Sequence, residues 1–250
     1  MYHQITDMPP KGTPYRGLCV PAKKFAQQMQ WLKRLGYRGL SMQDLLPYLE
    51  GTKSGKVFGI TFDDGYTNVH DNALPVLQAL GFTATTYFVA GHPGGHNHWD
   101  IEKGIPRSGL MNEQQIQNWA RAGQEIGSHT LDHVHLTQLP ENEARRQIEA
   151  SKHRLEAVFG VPVTAFCYPY GDESAAIREM TRQAGYTNAT LTVKGLALKE
   201  DDLFGLPRVT VSGNIGLIAF LIKCLTQKEH KRRVKKERKK ERKTTLSLTE

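Results

Sequence analysis

The chain has 250 residues, 39% of them hydrophobic, which is material for one large domain or two small ones and excludes a disordered chain or a disulfide-stapled miniprotein. No apolar run reaches the roughly 18 residues of a membrane span, Met1-Tyr2-His3 does not open a signal peptide, and Cys19, Cys167 and Cys224 form no spaced pair, so a soluble protein of a reducing cytoplasm is expected. The formal net charge of +8 is concentrated at one end: residues 228–250 hold eleven Lys or Arg against four Glu, and the remainder is close to neutral.

In chain order, Tyr2 to Ile5 reads as the remnant of a strand. A helix from Ala22 to Leu35 closes at Gly36, a strand runs from Tyr37 to Met42, and Ser41 caps a helix from Met42 to Leu49. Strand Val57 to Phe62 precedes helix Ala73 to Leu80, and strand Thr83 to Val89 precedes helix Glu113 to Ala122. Strand Glu125 to His129, helix Glu141 to Phe159, strand Thr164 to Tyr168, helix Glu173 to Ala184, and strands Tyr186 to Leu191 and Leu206 to Val211 complete the pattern. Repeated strand-then-helix units without a long linker predict one α/β barrel, with an open doubly wound sheet as the alternative. The segment HKRRVKKERKKERK has one aliphatic residue, cannot bury a face, and is expected to be disordered or a solvated helix.

Two motifs carry chemistry. Gly59-Ile60-Thr61-Phe62-Asp63-Asp64-Gly65 runs an apolar strand into adjacent carboxylates, which a barrel places at its carboxyl-terminal rim. Adjacent like charges repel, and a cation resolves the conflict if one carboxylate ligates it while the other acts as base; Asp-Gly is also a common turn dipeptide. After a second strand comes Ser128-His129-Thr130-Leu131-Asp132-His133, whose histidines sit four apart, the spacing that puts two imidazoles on one side of a helical turn. Two His and one carboxylate leave coordination positions open, the mark of a catalytic metal site.

With Thr61-Phe62-Asp63-Asp64-Gly65, Ser128 to His133 and Pro169-Tyr170-Gly171 in this order, the sequence resembles the NodB-homology polysaccharide deacetylases, metal-dependent carbohydrate de-N-acetylases. Met1-Tyr2-His3 and the stretch from Leu206 are similar to the branch that includes poly-N-acetylglucosamine deacetylases, and the resemblance covers residues 1–225. It implies a distorted (β/α)7-like barrel as a single catalytic domain; it does not cover the basic tail from 226 to 250, whose expected disorder rests on composition. It also implies Asp63 as base, Asp64, His129 and His133 as ligands of Zn²⁺ or another divalent transition metal, and the Tyr170 N–H, presented by the Pro169 turn, as oxyanion donor.

The chain departs from the family at two places. Cys167 stands where many members carry an arginine that orients the base; Arg208, at the end of a late strand, is the candidate replacement, with a structural salt bridge as its other reading. The late histidine that often serves as general acid is also missing, which leaves Asp63 itself, water, His135 or His3. The segment Gly91 to Asp100 carries three histidines and Trp99; a second metal is one reading, and the one adopted is a substrate-facing loop in which Trp99 offers a flat face to a sugar ring, with simple packing of Trp99 as its equal alternative. The reading is a metal-dependent hydrolase releasing acetate from an N-acetylated sugar of a polysaccharide, oligosaccharide or lipid-linked glycan. Its rivals are a glycan-binding pseudoenzyme and an Fe(II) oxygenase built on the same triad. The tail's expected partner is an anionic membrane surface rather than nucleic acid.

Overall fold

The computed structural model describes residues 1–235 and 238. Its wall is a six-stranded, all-parallel sheet in the order β3 (Thr61–Phe62), β4 (Thr85–Phe88), β5 (Glu125–Ser128), β6 (Ala165–Cys167), β7 (Asn188–Lys194) and β8 (Leu206–Arg208). A second parallel pair, β1 (Arg38–Leu40) and β2 (Val57–Gly59), lies beside it. The predicted strand Val57 to Phe62 is therefore two strands, because the chain changes partners at Ile60: its N–H bonds Leu40 of β1 while its carbonyl accepts from Thr85 of β4.

The opening segment closes the wall. Tyr2 N–H donates to Thr61 O, Asp63 N–H donates to Tyr2 O, and Val211 N–H donates to Met1 O, so residues 1 and 2 sit between β3 and the chain leaving β8. The predicted strand Tyr2 to Ile5 is reduced to single bridges from Tyr2 to Phe62 and from Gln4 to Cys19. The result is a distorted (β/α) barrel.

Helices cover the outside, as a parallel sheet buried on both faces requires. They are α1 (Ala22–Arg34), α2 (Met42–Leu49), α3 (Thr67–Asn72), α4 (Leu74–Leu80), α5 (Glu113–Arg121), α6 (Glu141–Phe159), α7 (Ala175–Gln183) and α8 (Leu217–Leu225). Local chemistry starts several of them: Ser41 Oγ accepts from Asp44 N–H, Asn112 and Gln115 form a reciprocal cap, and Ser174 Oγ accepts from Ile177 N–H. α3 and α4 stay separate because Pro75 has no N–H to continue the earlier helix. The core stacks Tyr2, Phe25, Phe62 and Trp119, with Phe62 and Trp119 edge to face at 6.0 Å.

The C-terminal end differs from expectation. α8 was not legible, and residues 228–235 take the helical one of the two forms expected for the basic segment. Glu229 is buried there and Arg233 Nη1 lies 2.9 Å from Asp201 Oδ1, so this basic segment has a docked side that its composition hides. The expected boundary between 225 and 226 falls between the two helices, and the tail expected at 236, 237 and 239–250 lies outside the described residues. No helix among the described residues is long and apolar enough to cross a membrane, and Cys19, Cys167 and Cys224 are free thiols.

Candidate active site

Period-two alternation along β3 points Thr61 and Asp63 to the same side, and the chain then turns sharply. Asp64 and Gly65 both have positive φ, 75° and 78°, and a Cβ on Gly65 would meet the Phe88 ring at 2.6 Å. Glycine is thus required twice at this position, and the turn leaves two consecutive carboxylates facing different partners.

Asp63 faces Arg208. Nη1 donates to Oδ1 at 2.6 Å and Nη2 to Oδ2 at 2.8 Å, a bidentate pair. The guanidinium is itself fixed by Nε donating to Leu191 O at 2.9 Å, Nη1 to Thr61 Oγ1 at 3.1 Å and Nη2 to Cys167 Sγ at 3.2 Å. A small residue at 167 is what leaves room for this approach; an arginine there would confront Arg208. Burial pushes the Asp63 carboxyl up, but Arg208 and His3 together outweigh it and hold the group below its usual range. His3 Nε2 lies 3.9 Å from Asp63 Oδ2.

Asp64 faces the histidines. Its Oδ1 is 3.4 Å from His129 Nε2 and 3.3 Å from His133 Nε2, and all three residues are buried. Burial raises the Asp64 carboxyl while the two imidazoles lower it, and the imidazoles win by a wide margin. The five residues from 129 to 133 are not a helical turn, contrary to the expectation from spacing. Thr130 and His133 are left-handed, with φ of 66° and 56°, and Thr130 Oγ1 accepts from His133 N–H at 3.0 Å. From α6, Gln147 Oε1 accepts from the Leu131 and Asp132 N–H groups, pinning the turn from outside.

The donor set fits a divalent transition metal. His129 Nδ1 lies 2.6 Å from Cys167 O, which only an Nδ1–H can satisfy, so the nitrogen left to ligate a metal is Nε2, 3.4 Å from Asp64 Oδ1. Burial lowers the His129 imidazole, but Cys167 and Asp64 outweigh it and raise it well above its usual range, so this position attracts positive charge, either a proton on Nε2 or a metal ion in its place. Asp64, His129 and His133 keep their ligand atoms within 4.8 Å of one another; so do Asp63, His129 and Cys167, but Asp63 is already committed to Arg208. Among the described residues the histidines of the 91–100 loop form no such group, so the second-metal reading finds no support there.

The walls are aromatic. Trp99 stacks on His133 with centroids 4.6 Å apart and rings 12° from parallel, so one of its faces is taken by a candidate ligand. The Pro169-Tyr170-Gly171 turn is tight: Tyr170 has φ 60°, ψ 0°, and any Cβ on Gly171 would collide with Thr192. Tyr170 meets His133 edge-on at 4.7 Å and stacks on His135 at 4.0 Å. Four of the five non-glycine residues with positive φ among the described residues, Asp64, Thr130, His133 and Tyr170, are in this site, each at a cost of about 1–3 kcal/mol that surrounding contacts must offset.

Lys103 and Thr61 were missed from the sequence. Lys103 Nζ lies 3.8 Å from the Tyr170 ring centroid and 3.1 Å from Asp100 Oδ1, and no local pattern announces it. Thr61 could have been found, since it shares a strand face with Asp63.

Known proteins share this arrangement of chain. The polysaccharide deacetylase family model matches residues 50–189. YxkH of Bacillus subtilis (strain 168) is 32% identical over 222 residues, 88% of this chain and 73% of that protein. The poly-β-1,6-N-acetyl-D-glucosamine N-deacetylase of Staphylococcus epidermidis is 27% identical over 210 residues, 78% of this chain and 68% of that enzyme. In fold, the Streptococcus pyogenes deacetylase PplD in complex with acetate matches with a TM-score of 0.76 over 90% of this chain and 96% of that one, at 23% identity. With more than half its length matched and its charged rim built on the matching segments, the chain belongs to the polysaccharide deacetylase family, whose members hydrolyse amide bonds of carbohydrates.

Proposed function

We propose that this protein is a divalent-metal-dependent de-N-acetylase of an N-acetylhexosamine polymer, converting the acetamido group and water into acetate and a free amino sugar. The observation that carries the reading is the pair of buried clusters on adjacent residues: Asp64 with His129 and His133, and Asp63 with Arg208. Asp64, His129 and His133 would hold the ion, with Zn²⁺ suiting their nitrogen and oxygen donors. Bound there, it supplies Lewis acidity, polarising the amide carbonyl and making water acidic enough to lose a proton near neutral pH.

The residues of the chain do the rest. Asp63 stays ionised because Arg208 stabilises its charge; the guanidinium occupies two of its acceptor positions and leaves others to take the proton of the attacking water. A carboxylate held this low is a weak base, so it suits water that has already been acidified. The oxyanion is assigned to the Tyr170 N–H, on the resemblance and on the left-handed turn that sets this residue against His133.

Collapse of the tetrahedral intermediate needs a proton on the departing nitrogen. We assign this role to His3, whose Nε2 lies 3.9 Å from Asp63 Oδ2 and whose side chain is 18% exposed, although 60 residues separate the two in the chain. On this assignment His3 stands in for the missing late histidine, whose absence favoured a binding-only protein. Trp99, Tyr170 and His135 would form the sugar-facing wall. The oxygenase reading of the same triad has no basis in this family.

The test is acetate release from a panel of N-acetylated glycans, poly-β-1,6-N-acetylglucosamine among them, by Zn²⁺-loaded and chelator-treated protein. Release that requires the ion supports the reading; no release from any glycan, or release indifferent to chelation, sinks it.

A further inference from the structure

We infer that α8 and the helix at 228–235 together form a docking surface for an anionic lipid bilayer. Ile218 is 76% exposed, the most exposed large apolar side chain among the described residues, and Ile222, one turn on along the same face, is 41% exposed. Phe220 faces inward and anchors α8 to the barrel, so these isoleucines are presented by a fixed element. One helix further, Lys228, Lys231, Arg232 and Lys235 are exposed at spacings of three, four and seven, which is a single helical face. The opposite side holds buried Glu229 and the Arg233–Asp201 pair, which docks this helix and aims its cations outward. Arg232 pairs with Glu229, while Lys228, Lys231 and Lys235 have no carboxylate within ion-pair distance among the described residues.

The combination selects the partner. A polyanion such as duplex DNA would use the cations and leave the isoleucines in water. A second protein would use the isoleucines and have to neutralise a row of lysines. An anionic bilayer takes both, since its headgroups attract the lysines and its acyl boundary accepts Ile218 and Ile222. Two weak signals acting together are what stable peripheral attachment requires.

The experiment uses the full chain with equimolar phosphatidylcholine/phosphatidylglycerol vesicles, pure phosphatidylcholine vesicles and duplex DNA. Binding to the mixed vesicles should fall steeply with added salt and be weak on phosphatidylcholine. Ile218→Ser with Ile222→Ser should weaken vesicle binding about 30-fold and leave the salt dependence intact. Lys228→Glu, Lys231→Glu and Lys235→Glu combined should weaken it about 100-fold or more and flatten that dependence. Unchanged turnover of a soluble glycan marks each variant as folded. The inference is overturned if the wild type binds both vesicle types equally, or if the isoleucine variant binds mixed vesicles like the wild type. DNA binding tighter than vesicle binding and untouched by the isoleucine substitutions would overturn it too. The wild-type salt and lipid series needs no variant, so a substitution that unfolds the chain does not remove the test.

Discussion

The rim of the barrel and the C-terminal helices handle charge in opposite ways. At the rim, Asp63, Asp64, His129, His133 and Arg208 are only 2–7% exposed, the carboxylates are tied to neighbours at short distances, and the backbone is held in left-handed turns. Along 228–235 the backbone is regular helix and three lysines stand in water without a partner among the described residues. Removing water from a charge makes each partner irreplaceable, so rim substitutions should act one at a time and strongly. Exposed charges act collectively and weakly, and only on a large anionic surface.

The largest effect should separate the two adjacent acids. Asp63→Asn is expected to lose about 10² to 10⁴ in turnover while keeping its metal, and Asp64→Asn to lose the metal itself; metal analysis beside acetate release checks both. The division of labour fails if the occupancies come out reversed. For His3→Ala a loss of about 10² is expected on a glycan, and a smaller one on an anilide, whose nitrogen leaves with less help. A loss equal on both substrates would show that His3 only supports Asp63.

Arg208→Met should lower turnover and also destabilise the fold by about 3–5 kcal/mol, because Asp63 is left buried and unpaired. Pairing it with Asp63→Asn should restore most of that stability and none of the activity, as read by denaturant melts and acetate release. Arg208→Lys should rescue little, since one ammonium cannot serve both carboxylate oxygens and the Leu191 carbonyl.

A subtler case lies beneath the rim. Burial raises the Glu125 carboxyl above its usual range, more than the hydrogen bonds from Thr85 and the Gln43 N–H lower it, and Oε1 has no hydrogen-bond partner among the described residues. Its stabilising contribution is therefore full below the ordinary carboxylate range and is lost as pH rises through the raised value. Melting curves of Glu125→Gln should lack that decline. At the other end of the scale, the three-lysine variant should turn over soluble glycan within about twofold of the wild type; a larger loss would tie the C-terminal helices to the site and erase the contrast.

The sequence by itself determined what is local. Asp63, Asp64, His129 and His133 were legible because each motif ends a strand, and strand ends in a parallel barrel converge on one rim. The helix start at Ser41 was legible from capping chemistry within four residues; the same chemistry starts α7 after Ser174, two residues later than the expected Glu173. Other features were decided only by the tertiary structure. Arg208 and His3 lie 145 and 60 residues from Asp63 and meet it because the opening segment slots between β3 and the end of β8, a closure that no local pattern encodes. The spacing of His129 and His133 suggested a helix, yet Gln147 and the left-handed Thr130 impose a strained turn instead. α8 is a short run with Lys223 as its single charged residue, and a short apolar stretch does not separate helix from strand, while the basic run after it reads as solvated throughout although one side is docked through Asp201. Propensity and capping act over a few residues, whereas pairing of buried charges acts only across space, once packing has brought the partners together.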